Sequence, residues 1–156
     1  MSSLVLATVA ESREILRRSR RIAVLGIKPE SRRSAAAYWV PDMLQRLGYE
    51  IFPVPVDYPE VTQILGRPVV TGLRALATPI DIVSVFRRPE HVPAHLDDLL
   101  AIRPPVVWFQ SGCLNPASAE VLMGAGVVVV HDCIACRRAA IQPSSVPLPG
   151  QAAPSR

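Results

Sequence analysis

Short apolar runs alternate with segments of helical periodicity along most of this chain, and this alternation is the strongest constraint on its fold. The runs typical of buried strands are residues 21–26, 50–56, 81–86, 105–109 and 127–131. Apolar side chains at helical spacing occupy the intervening segments 34–47, 89–102 and the one that begins at Asn115. Strands and helices that alternate in this way are joined by right-handed crossovers. The sequence therefore predicts a doubly wound α/β fold, with a mostly parallel sheet and helices on both faces.

Turn and cap residues mark where several helices begin and end. Asn115 followed by Pro116 is a strong signal for a helix start. The Asn side chain can accept a hydrogen bond from a free N–H group of the first turn, and Pro has no N–H that would need a partner there. Gly48 is typical of the end of the helix predicted over 34–47, and Ser34 can cap its beginning. Pro41 lies inside that segment, so we expect a kink or a later start.

The alternating segments predict one principal domain with short additions at both ends. A chain of 156 residues has the size of a single domain. Residues 1–20 are predicted to form an N-terminal helix that ends in arginines, and residues 21–141 the domain itself. Residues 142–156 are proline-rich and show no periodicity, so we expect a disordered tail.

Composition excludes several classes of protein. No apolar run approaches the roughly 18–20 residues of a membrane span, and the first ten residues lack the basic flank of a signal peptide. The net charge is +4, but no run of five or six basic residues indicates a nucleic-acid tail. Three cysteines, an odd number, favour reduced thiols in the cytoplasm over a disulfide framework. We therefore expect a cytoplasmic protein with a small anionic ligand; the sequence identifies no protein partner.

The loop after the first predicted strand is the first candidate site. Ligands of open parallel sheets bind at the carboxyl ends of the strands, where the strand order reverses. Gly26 ends the strand, and the loop opens a helix whose N–H groups can face a phosphate. Countercharge would come from Lys28, Arg32 and Arg33. No second glycine completes a G-x-G-x-x-G fingerprint, so a nucleotide other than NAD is favoured. The alternative is a solvated loop with ordinary surface bases.

Two further strand ends carry polar or aromatic side chains. Phe86 offers a face for a base, and Arg87 and Arg88 place two guanidinium groups where they can bind phosphates. The alternative is that one arginine only anchors the sheet edge through a carboxylate. On the next strand end, Gln110 can recognise a polar ligand and Gly112 permits close approach of a ligand to the backbone.

The C-x-x-C spacing of Cys133 and Cys136 follows the last predicted strand. Zinc needs four tetrahedral ligands, which Cys113 and His131 would have to complete. No second C-x-x-C is present, so the spacing favours structural cysteines or reactive thiols, and we predict no metal site.

No catalytic arrangement can be assembled from the remaining polar residues. Ser111 is followed by glycine near His131 and Asp132, but it is not part of a G-x-S-x-G elbow. His91 and His95 lie four residues apart on a predicted helix, where a solvated face is the simpler interpretation. The sequence therefore predicts no catalytic residues.

Motifs at the strand ends resemble a known family when they are taken in order. The motifs lie at residues 23–26, 48–49 leading to 52–54, 81–88, 107–112 and 130–133. Residues 20–141 resemble the small stand-alone bacterial CoA-binding proteins, whose fold is similar to that of the N-terminal domain of the succinyl-CoA synthetase α subunit. The resemblance implies a Rossmann-like domain that holds CoA or an acyl-CoA.

The resemblance also implies a role for each strand end. The phosphate side would be formed by Gly26, Ile27, Lys28 and Ser34. The adenine would be bordered by Pro53, Pro55 and Val56. The middle of the ligand would be flanked by Phe86, Arg87 and Arg88, and the pantetheine arm by Gln110 and Gly112. Cys133 matches a family cysteine, and a CoA thiol beside it could form a mixed disulfide.

The chain departs from the family pattern at the presumed nucleotide site. Ile27 and Lys28 replace a small residue and a serine, and Pro55 replaces an asparagine. Because no acid–base or nucleophile set can be assembled, a non-catalytic binding or sensor protein is favoured over an enzyme. The alternatives are an enzyme acting on an acyl-CoA or nucleotide, and an interaction module that has lost its ligand.

Overall fold

A computed structural model describes residues 5–137 of the chain. Within these residues the strands are β1 (Arg21–Leu25), β2 (Glu50–Val54), β3 (Gln63–Ile64), β4 (Arg67–Pro68), β5 (Ile82–Val85), β6 (Val106–Phe109) and β7 (Val128–His131). The α-helices are α1 (Val9–Arg18), α2 (Ala36–Arg46), α3 (Leu96–Ile102) and α4 (Pro116–Gly124). Short 3₁₀-helices span Glu30–Arg32, Leu73–Ala75 and Pro89–His95. The predicted disordered tail lies outside the described residues, as do residues 138–141 of the predicted domain.

Five of the strands form one parallel sheet in the order β2-β1-β5-β6-β7. The chain passes from β1 to β2 on one side, returns, and continues from β5 on the other side of β1. The strand order therefore reverses between β1 and β5, where Ile22 pairs with Ile51 on one flank and Ile82 on the other. This topology confirms the predicted doubly wound α/β fold.

Apolar side chains pack on both faces of the sheet. One face is covered by α1 and α2, and its buried residues include Leu16, Val24, Leu44 and Trp108. The other face is covered by α3 and α4, with Leu99 and Leu122 packed against the strands. Strands buried on both faces are nearly continuous apolar runs, which explains why the sequence pattern was informative. No helix within residues 5–137 has the length and apolar character needed to cross a membrane.

The first helix begins later than the pattern predicts. Thr8 accepts a hydrogen bond from the Glu11 N–H, and the Glu11 carboxylate accepts one from the Thr8 N–H, which together form a capping box. Just before this cap, the Ala7 N–H donates to the Val129 carbonyl at 3.1 Å. The residues before α1 therefore run beside edge strand β7 and occupy one of its free backbone groups.

The second helix contains Pro41 and begins at Ala36. The sequence predicts Ser34 as the cap, but the structure places the exposed Ser34 one residue earlier and Ala35 at the N-cap position. Ala35 has no side-chain oxygen, so this helix begins without a side-chain cap. Prediction of the cap at Ser34 is therefore wrong.

The segment predicted as one helix over residues 89–102 has two parts. Pro89–His95 is 3₁₀-helical, and the α-helix begins only at Leu96. Pro93 lies inside the first part and has no N–H for an α-helical hydrogen bond. The apolar spacing identified the helical segment, but Pro93 explains why its first half is not α-helical.

The sequence does not predict the two-stranded antiparallel ladder of β3 and β4. Its turn uses Leu65 at φ 55° and Gly66 at φ 70°, and both residues are in the left-handed region. Leucine rarely adopts this conformation, so the usual sequence signal of such a turn is missing. After β4 the chain stays beside β2, because the Val70 N–H donates to the Pro53 carbonyl at 2.8 Å.

Candidate functional site

A cavity of about 430 Å³ opens at the carboxyl ends of the central strands. It lies at the reversal of strand order between β1 and β5, the expected place for a ligand in such a sheet. Its walls are formed by Lys28, Ala35, Ala36, Ala37, Trp39, Val40, Phe86, Arg87, Arg88, Gln110, Ser111, Gly112, Cys113, Cys133 and Ala135.

Close approach of two backbones shapes the base of this site. Gly26 follows β1 with φ +84°, and its N–H donates to the Val54 carbonyl at 2.9 Å. A Cβ at this position would collide with the carbonyl oxygen of Phe86 and lie 3.1 Å from the Arg87 Cδ. Only glycine therefore fits where the ends of β1 and β5 meet.

Three cationic side chains line the cavity: Lys28, Arg87 and Arg88. Arg87 is mostly buried, with 18% of its side chain exposed, and its Nη1 lies 3.6 Å from the Asp57 Oδ2. Asp57 is 71% exposed, so water screens this pair strongly. The buried Arg87 Nε has no hydrogen-bond partner within residues 5–137. The Asp57 carboxylate is the ion-pair partner of this arginine within those residues, and it lies at the long end of the range for such a pair.

The N-terminus of α2 faces the same cavity. Its first residues, Ala35 to Ala37, all line the wall and all have methyl side chains. The first N–H groups of an α-helix have no acceptor within the helix, and here no side chain supplies one. Small side chains, open N–H groups and the positive end of the helix dipole together favour an anion.

Gln110 lines the cavity but also connects two strands and a loop. Its Nε2 donates to the Ser84 Oγ at 3.0 Å, and its Oε1 accepts from the Ile134 N–H at 3.4 Å. The residue is only 7% exposed. Both ends of its amide therefore form hydrogen bonds within the protein and hold this part of the wall in place. The sequence predicts contact between this amide and a ligand instead.

The loop after β7 is anchored at several points. The Trp108 Nε1 donates to the Asp132 carbonyl at 2.9 Å, and the Cys133 N–H donates to the Asp132 carboxylate at 2.8 Å. Arg137 contacts both oxygens of the same carboxylate, through Nε at 2.7 Å and Nη2 at 3.0 Å. A bidentate pair of this kind holds the planes of both groups, so the ends of the loop are fixed together.

The cysteines differ from the expectation of three reduced thiols. Cys133 and Cys136 form a disulfide, with their Cα atoms 5.2 Å apart, whereas Cys113 is free and half-buried. Three-residue spacing in a turn brings the two sulfurs together, which the odd cysteine count could not show. Burial raises the pKa of the Cys113 thiol, an effect that a backbone hydrogen bond from Arg87 opposes. No three His, Cys, Asp or Glu side chains within residues 5–137 are grouped as metal ligands.

Several residues that the sequence or the resemblance assigns to the ligand lie outside the cavity wall. The Ile27 side chain is 1% exposed and packs in the core, so only the backbone of this residue can face a ligand, and its place on the phosphate side stays a prediction. Arg32, Arg33 and Ser34 are exposed on the loop before α2, and the Arg33 guanidinium lies 5.6 Å from the Tyr38 ring centroid. Of the residues predicted to border the adenine, Pro53 is buried within β2, whereas the half-buried Pro55 and the exposed Val56 follow the strand.

The structure brings together Lys28, Phe86, Arg87, Arg88, Gln110, Gly112 and Cys133 from the sequence-predicted set. Gly26 lies beneath them. The sequence predicts no place in the site for Trp39 or for the three alanines at the start of α2, because alanine carries no chemical signal and Trp39 belongs to an apolar helical face. It also does not assign Cys113 to the site. Cys113 directly follows Gly112 at the end of a predicted strand, and this position is the signal that could have identified it.

The remaining polar candidates do not form a catalytic group. Asp132 is paired with Arg137, while His131 is exposed on β7. His91 is exposed, but His95 is half-buried, so a fully solvated face is wrong for His95. Its Nε2 has no partner in the part of the chain that the structure describes, and burial, together with the charge of Arg87, lowers its pKa.

The chain is similar to proteins of a defined family. A family model described as CoA binding domain matches residues 20–139. The uncharacterized protein YneT of Bacillus subtilis (strain 168) is 39% identical over 123 residues, which covers 79% of this chain and 87% of YneT.

Solved structures show the same likeness. The structure of cell-free ID.343 from Thermus thermophilus has a TM-score of 0.79 at 34% identity and covers 86% of this chain and 99% of that chain. A hypothetical protein from Pyrococcus horikoshii OT3 has a TM-score of 0.76 at 26% identity, with coverage of 90% and 99%. Because the family model matches most of the length of this chain, the chain belongs to the CoA-binding domain family.

Proposed function

We propose that this protein binds CoA or an acyl-CoA at the carboxyl ends of β1, β5 and β6, and that it does so without transforming the ligand. The observation that carries the proposal is the 430 Å³ cavity at the reversal of strand order, in a chain of the CoA-binding domain family. Pockets of several hundred Å³ with apolar walls and a few convergent polar groups are typical ligand sites.

Charge complementarity supports an anionic ligand. Lys28, Arg87 and Arg88 line the wall, and no aspartate or glutamate is among the described residues that do. CoA carries a diphosphate and a 3′-phosphate, which guanidinium groups bind through paired hydrogen bonds. The only acidic side chain close to these cations within residues 5–137 that forms an ion pair with one is the exposed Asp57.

The start of α2 is the proposed position of the diphosphate. The Ala35 N–H donates to the Arg32 carbonyl at 3.0 Å, so the N–H groups offered to phosphate oxygens are those of Ala36 and Ala37, whose methyl side chains permit close approach. Lys28 lies beside them and supplies a point charge where the family usually has a serine. The substitution to Ile27 leaves this space open, because that side chain points into the core.

The apolar wall suits the less polar part of the ligand. Trp39, Val40 and Phe86 line it, and Trp39 remains 42% exposed. We place the pantetheine arm, or the acyl group, along these side chains toward Gln110 and Gly112. The adenine then lies outside the enclosed volume, along Pro53, Pro55 and Val56.

The residues along the cavity support binding without catalysis. Among the described residues of the wall there is no histidine and no carboxylate to act as general acid or base. Ser111 lines the wall, whereas the exposed His131 is not among the described residues that do.

Calorimetric titration with CoA under reducing conditions tests the proposal. We expect saturable binding that weakens as salt is raised, and weaker binding by roughly tenfold in Lys28→Ala and Arg88→Ala, as lost charge-assisted hydrogen bonds imply. Arg46→Ala is the matched control, because Arg46 is an exposed arginine at the far end of the same helix. Absence of CoA binding, or equal affinity in all three variants, would contradict the proposal.

A further inference from the structure

The cavity wall contains one half of a disulfide. Cys133 lines the cavity and is half-buried, whereas its partner Cys136 is exposed to solvent outside the wall. A thiol that enters the cavity therefore meets Cys133, and the sulfur displaced from it lies at the solvent side. Exchange between a thiolate and a disulfide needs this arrangement of attacked and leaving sulfur.

The loop that carries the disulfide is held in place on both sides. Trp108 and Gln110 of the β6 end bind the backbone at Asp132 and Ile134, and the Asp132–Arg137 pair closes the loop. The Cys136 N–H donates to the Cys133 Sγ at 3.2 Å. Opening of the disulfide would therefore leave Cys136 close to Cys133, ready for the reverse reaction.

The third cysteine does not compete with a ligand thiol. Cys113 also lines the cavity, but burial raises the pKa of its thiol and so lowers the fraction present as thiolate. The thiolate is the nucleophile in exchange, and a protonated thiol reacts poorly. A ligand thiol with an ordinary pKa is the better nucleophile in this space.

We propose that the Cys133–Cys136 disulfide captures CoA covalently, an inference that rests on the proposed CoA binding. The CoA thiolate attacks the Cys133 sulfur, a Cys133–CoA disulfide forms, the Cys133–Cys136 bond breaks, and Cys136 leaves as a thiolate. The proton lost by the CoA thiol returns to Cys136 through solvent. One disulfide replaces another, so no external oxidant or reductant takes part.

The exchange makes covalent retention dependent on the redox state of the pair. The oxidised protein can trap CoA, whereas the reduced protein binds it only non-covalently. Cys136 can attack the mixed disulfide and release CoA, which makes the trap reversible without a reductant. Acyl-CoA has no free thiol and is not captured, so the device separates free CoA from acyl-CoA.

Intact mass under denaturing, non-reducing conditions is the direct test. Oxidised full-length protein is incubated with CoA without any oxidant, quenched in acid and weighed. We expect the gain of one whole CoA molecule, because exchange loses no atoms, and its removal by reductant. Before any reductant is added, alkylation of the protein that carries CoA should label two cysteines, Cys113 and Cys136, where the starting protein has one free thiol among its three cysteines.

Specificity is measured by the rate with CoA against the rate with pantetheine, which has the same thiol and no nucleotide. A thiol positioned by binding should react roughly tenfold faster or more, owing to its raised effective concentration. Cys136→Ser leaves Cys133 as a free thiol, and without an oxidant it should gain no CoA. Equal rates with both thiols, or attachment at Cys113 or Cys136, would overturn the inference.

Desulfo-CoA, in which hydrogen replaces the thiol, separates this inference from the proposed function. If oxidised protein binds desulfo-CoA in a calorimetric titration but gains no mass with CoA, covalent capture is wrong and CoA binding stands. If it does not bind desulfo-CoA, the proposed function itself is wrong. A protein whose Cys133 and Cys136 stay reduced after treatment with a thiol oxidant would also overturn the capture.

Discussion

The Lys28 N–H donates to the carbonyl oxygen of Ala37 at 3.1 Å, which ties the loop after β1 to the first turn of α2. In a regular helix this oxygen would accept from the residue four positions later. That residue is Pro41, which has no N–H. A proline, normally unfavourable inside a helix, thus leaves free the acceptor that positions Lys28 at the cavity.

Pro41→Ala should loosen the loop at Lys28. The new N–H at position 41 would compete for the Ala37 oxygen, so we expect the Lys28 amide to exchange with solvent about fivefold faster, equivalent to about 1 kcal/mol of hydrogen bond. Amide hydrogen exchange followed by NMR measures this. The Gly26 amide, which donates to Val54, is the control and should keep its rate. Unchanged exchange at Lys28 would show that the loop does not depend on the proline.

Gly26→Ala should destabilise the fold far more than Gly112→Ala. Both glycines have nearly the same left-handed conformation, φ +84° and φ +83°. At Gly112 nothing lies within 4 Å of an added Cβ, so only backbone strain of about 1–2 kcal/mol is expected. At Gly26 the Cβ also meets the Phe86 carbonyl, and we expect a loss of about 3 kcal/mol or more. Urea unfolding gives both values, and similar losses would contradict the close contact.

Tyr49→Phe should show the cost of ionising a buried phenol. Tyr49 donates its hydroxyl proton to the Leu16 carbonyl, and burial raises its pKa from 10.0 to about 12. At neutral pH the variant should lose about 1 kcal/mol with this hydrogen bond. Because the folded-state pKa is the higher one, the contribution of Tyr49 is complete below pH 10 and is lost as the pH rises toward 12.

The measurement is the free energy of unfolding of both proteins across this pH range. The difference between native protein and Tyr49→Phe should shrink as the pH rises, since only the native protein has this phenol to ionise. A constant difference from pH 9 upward would mean that Tyr49 titrates at the same pH when folded and unfolded.

Gln110 and Ser84 should behave as a coupled pair. Gln110→Leu leaves the Ser84 hydroxyl and the Ile134 N–H without their partner, and we expect a loss of about 1–3 kcal/mol. When Gln110→Leu is already present, Ser84→Ala removes one of these unsatisfied groups and should cost less than it does alone. Denaturant unfolding of the two single variants and the double variant gives the coupling energy, expected at about 1 kcal/mol. Strict additivity would show that the buried bond does not stabilise the site.

Local pattern was sufficient for the sheet and for its two covered faces. The five apolar runs became the five parallel strands, because a strand buried on both faces must be apolar throughout. The predicted topology is enough to point to the carboxyl ends of these strands as the place for a ligand. Lys28, Phe86, Arg88 and Gly112 follow those ends and line the cavity. The motifs in their order also identified the family.

Features that depend on single hydrogen bonds or on backbone conformation were not predictable in the same way. Ser34 is a better cap than Ala35 by propensity, yet the chain reaches α2 one residue later. Leu65 adopts a left-handed conformation that its sequence does not favour. Gln110 looks like a ligand-binding amide until Ser84 and Ile134 are seen to occupy it.

Local sequence was enough to predict the fold class, the family and the edge of the sheet where a ligand is expected, since apolar periodicity and short motifs are local properties. Which side chains share one space depends on the tertiary structure. Packing buries Ile27 in the core, starts α2 at Ala36 rather than at Ser34, and joins Cys133 to Cys136 beside the cavity. These outcomes depend on distances between segments far apart in the chain, which no local pattern encodes.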